Sequence, residues 1–130
     1  MRWDRPVWLR AAAILPLVVY CSLARGQQDA DEAQLKALRA QIIEMIGEAS
    51  CVNLVHCRLL ALGTRPCGGA DEYLAYSSNT GNRTALENKA LEYTLLQEDV
   101  QQAKGAVGVC VVLPQPRLTC IDRRCRVVGE

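Results

Sequence analysis

Between Asp31 and about Glu48 the apolar residues Leu35, Leu38, Ile42, Met45 and Ile46 return at spacings of three and four. That period predicts a helix with one greasy face. Asp29, Asp31 and Glu32 sit at its start, where the helix dipole favours negative charge, and Gly47 and Ser50 weaken it just before Cys51. Two heptads are too short to indicate a coiled coil, so the face is expected to pack on the rest of its own domain. Arg58-Leu59-Leu60-Ala61-Leu62 is a short apolar run closed by Gly63, the pattern of a buried strand. Glu72 to Ser77 alternates as a second strand, which places Tyr73 and Tyr76 on opposite faces. Between the two, Thr64 to Ala70 cannot continue a regular element, because Pro66 lacks a backbone donor and Gly68 and Gly69 permit positive φ.

After a polar loop from Ser78 to Arg83, Thr84-Ala85-Leu86-Glu87 fits a capping box and predicts a second helix start. Leu86, Ala90, Tyr93, Leu96, Val100 and Ala103 form its apolar stripe, and Gly105 is its natural stop. Val107 to Leu113 reads as a strand carrying Cys110, ended by Pro114-Gln115-Pro116. Leu118 to Val128 reads as a hairpin. With Asp122-Arg123 as its turn, Cys120 and Cys125 lie opposite one another on one face. They either bridge each other or reach inward to the cysteines between residues 51 and 67, and the second arrangement ties the two halves of the chain together. The predicted fold is α+β: two helices packed on a small, mostly antiparallel sheet, stapled by three disulfides.

The stretch before the first helix has a different character. Arg2, Arg5 and Arg10 precede the apolar run Ala11 to Tyr20, and Ala24-Arg25-Gly26 offers small residues at a cleavage site before Gln27. Residues 1–26 therefore read as a secretory signal peptide and 27–130 as a single disulfide-rich domain, with its first helix at about 31–48 and its cysteine core at 51–125. The apolar run is shorter than the roughly 20 residues of a membrane anchor, and nothing after Gln27 is long and apolar enough to span a bilayer. Cys21, at the end of that run, raises the alternative of a lipid anchor, with the bulky Tyr20 standing where lipoprotein processing wants a small residue.

The chain holds 7 cysteines. Setting Cys21 aside leaves Cys51, Cys57, Cys67, Cys110, Cys120 and Cys125, an even set that reads as three bridges of unspecified pairing. No C-x-x-C pair occurs and His56 is the only histidine, so a zinc site is not indicated and no metal or cofactor is assigned. Phe is absent, and both Trp3 and Trp8 lie in the leader, so the core is aliphatic and modest and the bridges must share the load. Removing Arg2, Arg5, Arg10, Arg25 and Asp4 leaves 11 basic against 13 acidic residues, a formal net of −2 that argues against nucleic-acid binding.

Candidate chemistry is sparse. His56 adjoins Cys57, but a nucleophilic thiol must be free and a bridged one is not. Asp71-Glu72 and Glu98-Asp99 are sequence neighbours whose side chains diverge, and only a fold that joined Glu48 to Asp71 would give a carboxylate pair. No phosphate loop, G-x-S-x-G or H-E-x-x-H is present, so no catalytic residue is assigned and the protein reads as a non-enzyme. Arg65, held beside Pro66 and Cys67 on the Gly63–Ala70 loop, resembles the basic residue that small disulfide-rich inhibitors present to a serine protease. Arg117, Arg123, Arg124 and Arg126 crowd the C-terminal hairpin, which makes Arg123 and Arg124 candidate contacts for a macromolecular partner, a protein or an envelope component. Asn82-Arg83-Thr84 fits a glycosylation pattern, although a cap at Thr84 explains it better.

Cys57-Arg58, Gly63, Pro66-Cys67-Gly68-Gly69 and Tyr73-Leu74-Ala75-Tyr76-Ser77, followed by a helix and then Cys110, Pro114, Cys120 and Cys125, resemble a family of small exported bacterial proteins of unknown function. The resemblance covers residues 51 to 125. Members tend to carry a proline after the double glycine where this chain has Ala70, and some look like lipoproteins. It implies export to the periplasm of a Gram-negative bacterium and supplies no activity.

Overall fold

The computed structural model describes residues 15–79, 81–111 and 114–129, with side chains from Gly26 onward. The basic start of the expected leader, the side chain of Cys21 and the end of the expected strand at residues 112 and 113 lie outside the described residues.

Helix α1 spans Leu15–Ile46. It begins well before Asp31 and runs unbroken through Gly26 and Gln27, because nothing there removes a backbone donor or forces another conformation. Leu38, Ile42 and Ile46 are buried and Leu35 and Met45 half-buried, so the stripe is the one the spacing predicts. Gly47, with φ of 57°, ends the helix in the left-handed region that glycine tolerates. A single 3-10 turn, Leu54–His56, capped by the Asn53 side chain, leads into strand β1, Cys57–Leu62.

Strand β1 pairs antiparallel with β2, Glu72–Ser77, in a register that sets Arg58 opposite Tyr76 and Leu60 opposite Leu74. Because side chains alternate, this ladder has two working faces. Leu60, Leu62, Leu74 and Tyr76 share the face toward the helices, where Tyr76 is 2% exposed and its hydroxyl donates to Glu87 at 3.3 Å. Cys57 and Tyr73 share the other face, toward the C-terminal hairpin.

Helix α2 spans Arg83–Ala103. Its N-cap is Asn82, whose side chain accepts from the Ala85 N–H at 3.0 Å, and not Thr84. The capping box fails because Glu87 turns away to the Arg83 guanidinium and to Tyr76. Leu86, Ala90 and Val100 are buried and Tyr93 and Leu96 half-buried, while Ala103 is exposed past the edge of the core. The helix stops where expected. Gly105, at φ 60°, donates to Gln102 and Ala106 donates to Gln101, a Schellman motif.

The expected strand from Val107 does not form: residues 106–111 carry no ladder, and Val107 and Val109 are 98% and 87% exposed. Valines suit a strand, but after the reversal at Gly105 the arm lies beside the Gly63–Asp71 loop, with Gly108 against the Pro66 ring, and that loop offers no free strand edge. The chain ends in the hairpin of β3, Arg117–Ile121, and β4, Arg124–Val128. Asp122 and Arg123, at φ 51° and 61°, are the turn, as in a type I′ hairpin, and Cys120 faces Cys125.

The sheet is thus divided into two antiparallel hairpins. One disulfide, Cys57–Cys125, joins them; a second, Cys51–Cys120, ties the segment before the 3-10 turn to β3, and a third, Cys67–Cys110, joins the β1–β2 loop to the arm after α2. Ile42, Leu62, Tyr76 and Leu86 are the largest fully buried side chains, and they meet between the helices and the first hairpin. Among the described residues no helix is long and apolar enough to cross a membrane.

Candidate functional site

Charged side chains gather at three places beside the two backbone ladders, apart from the ion pairs carried by α2. At the first, the β3–β4 turn, Cys51 N–H donates to the Arg123 carbonyl at 2.9 Å and Cys125 N–H donates to that of Ala49. These bonds set residues 49–51 against the hairpin as an isolated antiparallel bridge, Ser50 opposite Arg124, so the turn is braced from outside the hairpin. Beside it opens a hollow of about 610 Å³ lined by Glu48, Ser50, Val52, Asn79, Asp122, Arg123 and Arg124, large enough for a small ligand or a few residues of a partner.

The two arginines of this hollow differ. Arg124 donates to Glu48 at 2.9 Å across an exposed pair, whereas Arg123 has no acidic partner within ion-pair reach among the described residues. Register explains the rest of the basic cluster. Cys120, Cys125, Leu118 and Val127 take the inner face of the hairpin, which leaves Arg117, Arg124 and Arg126 on the outer one. Arg123 and Arg124, the candidate partner contacts of the sequence, both line this hollow. Nothing in the sequence pointed to Ser50, Val52 or Asn79, which the fold brings to the same hollow from distant segments.

The second place is the Gly63–Asp71 loop. Arg65 N–H donates to Gly69 carbonyl at 3.1 Å, and Arg65 carbonyl accepts from Gly68 N–H at 2.8 Å. Both backbone groups of the residue offered as a protease ligand are thus spent within the loop. Its guanidinium bends back toward Asp71, with Nε 3.9 Å from a carboxylate oxygen and 3.4 Å separating the other end from the Asp71 carbonyl. From the other side, α2 holds the loop by a row of polar side chains. Thr94 accepts from Gly63 N–H at 3.0 Å, Gln97 accepts from Thr64 N–H at 2.7 Å, and Gln101 donates to Thr64 carbonyl at 2.8 Å. Gly63 suits the position because it holds φ 71°, in the left-handed region, and a Cβ would crowd both the Gln97 amide that accepts from Thr64 and the Asp71 Cβ, the latter at 3.1 Å.

At the third place, Arg39 of α1 forks onto Glu72 of β2 at 2.9 and 3.0 Å, a helix-to-strand tie that nothing in the local pattern announced. Glu48 and Asp71 each have their own arginine, so the structure does not make an acid–base pair of them. His56 Nδ1 accepts from Val52 N–H at 3.2 Å, which fixes the ring at the 3-10 turn, and its neighbour Cys57 is bridged. The sulfurs of Cys51, Cys57 and Cys125 lie within 4.8 Å of one another. All three are in disulfides and hold no thiolate for a metal. No protein-family model, curated protein or solved structure matches this chain.

Proposed function

We propose that this is an exported, non-enzymatic binding module whose contact surface is the basic end of the β3–β4 hairpin. Three disulfides suit an oxidising compartment outside the cytoplasm, and the same reading takes residues 1–26 as the leader and the chain as kin to small exported bacterial proteins. The observation that carries the contact surface is Arg123: a guanidinium at the rim of the hollow of about 610 Å³, without an acidic partner among the described residues, on a turn braced by the Cys51 N–H. A fixed backbone lowers the ordering cost of binding, and an unpaired arginine favours a carboxylate or phosphate group on an envelope component or a protein.

The test is co-sedimentation of the purified protein with isolated envelope fragments across a salt series. Arg123→Ala is expected to weaken retention about tenfold, the value of one charge-assisted hydrogen bond, and salt to weaken the wild type. Equal retention of wild type and variant rules the hairpin out as the contact. The inhibitor reading of Arg65 is less well supported, since both of its backbone groups are committed inside the loop. Inhibition of a trypsin-like protease that is lost in Arg65→Ala would reverse that order.

A further inference from the structure

The three bridges are not equally placed. Cys51, Cys57 and Cys125 are 4%, 4% and 6% exposed, and Cys120 is half-buried beneath the hairpin. Cys67 and Cys110 are both exposed, and they line a second hollow, of about 330 Å³, together with Arg65 and Tyr73. What lies at the two ends of this outer bridge also differs. Cys67 belongs to a loop that α2 holds through Thr94, Gln97 and Gln101. Cys110 belongs to the arm 106–111, which has no ladder and whose valines stand in solvent; past the Schellman turn at its start, the arm meets the loop with Gly108 against Pro66.

We propose that Cys67–Cys110 is a thiol-exchange site, opened by a dithiol reductant to release the 106–111 arm while the rest of the fold stays closed. A thiolate of the reductant attacks one sulfur of the bridge, forming a mixed disulfide and expelling the other sulfur as a thiolate that takes up a proton. The second thiol of the reductant then displaces the remaining cysteine. Two electrons and two protons pass to Cys67 and Cys110, and the reductant leaves as a disulfide. Exposure selects this bridge, since exchange requires in-line approach to a sulfur. The positive charge of Arg65 on the same hollow favours a departing thiolate. Once open, the loop keeps its bonds to α2, while the arm loses the covalent tie that holds it there.

Graded reduction of the full oxidised protein by dithiothreitol, with the thiols trapped by alkylation and located by peptide mass, reads the order of opening. Cys67 and Cys110 are expected to label at least tenfold faster than the other four. Simultaneous labelling, or earlier labelling of Cys51, Cys57, Cys120 or Cys125, overturns the proposal. Cys67→Ser combined with Cys110→Ser imitates the open form. Elastase, which cuts after small apolar residues, should then cleave within 106–111 at least tenfold faster, with amide protection kept in β1 and β2. Unchanged cleavage, or loss of that protection, overturns it too.

Discussion

Tyr76 shows how much one side chain carries in a core without phenylalanine. Its ring is among the largest fully buried groups, and only its hydroxyl reaches a partner, Glu87. Tyr76→Ala is expected to cost about 3–5 kcal/mol, and Tyr76→Phe about 1 kcal/mol or less, since it removes a single hydrogen bond; urea melts of the two variants check both values. The same logic separates two neighbours at the start of α2. Asn82→Ala should cost about 1 kcal/mol through loss of the cap, and Thr84→Ala, one turn position too late to cap, should fall within about 0.5 kcal/mol of wild type. The sequence contained both Asn82 and the Thr84–Glu87 pattern. It misled because Glu87 was wanted elsewhere, by Arg83 and by a tyrosine from another strand, and such competition is invisible to a local motif.

Elements whose pattern and neighbours agree were legible: β1, β2, the α1 stripe, the stop at Gly105 and the terminal hairpin. The arm 106–111 was not, because whether a valine run becomes a strand depends on an available edge, a property of the fold. Disulfide pairing was likewise open until the hairpin turned both its cysteines inward. At the hairpin turn, Arg123 holds a positive φ that a side chain resists by about 1–2 kcal/mol. Arg123→Gly should therefore leave the melting temperature unchanged or raised, against the usual cost of an added glycine, while weakening retention on envelope fragments as Arg123→Ala does. Thermal melts and sedimentation on one preparation separate the two roles of this residue.

For the molecule as a whole, the bridges do not contribute independently. Cys51–Cys120 and Cys57–Cys125 run side by side between the same two segments, with sequence separations of 69 and 68. While one is closed, the other closes only a small ring, so its removal should cost about 3 kcal/mol; removing the second as well then opens the long loop, at about 4 kcal/mol or more. A double-mutant cycle with paired alanine substitutions should show this as non-additivity. Charge adds a smaller, pH-dependent part. Hydrogen bonding to Arg83 holds the Glu87 carboxyl below its ordinary value of 4.5, and Lys104 does the same for Glu32. These depressed values give stability that is complete above about pH 4.5 and is lost as the pH falls through them. Burial raises the phenols of Tyr76 and Tyr93 above 10. Their contribution is complete below about pH 10, where the unfolded chain's tyrosines begin to ionise, and is lost as the pH climbs through the raised values. Chemical melts from acid to alkali should thus show a flat top with a shallow fall at each end.

The placing of Cys120 opposite Cys125 has a consequence for how the chain reaches this state. The two lie close in sequence on a hairpin that forms locally and quickly, while their true partners are distant. In the oxidising chain they are therefore the pair that meets first, and their mutual bridge is a kinetic trap. Acid-quenched refolding intermediates should be rich in that non-native pair. Maturation would then be limited by reshuffling rather than by oxidation, and hastened by a disulfide isomerase far more than by a stronger oxidant.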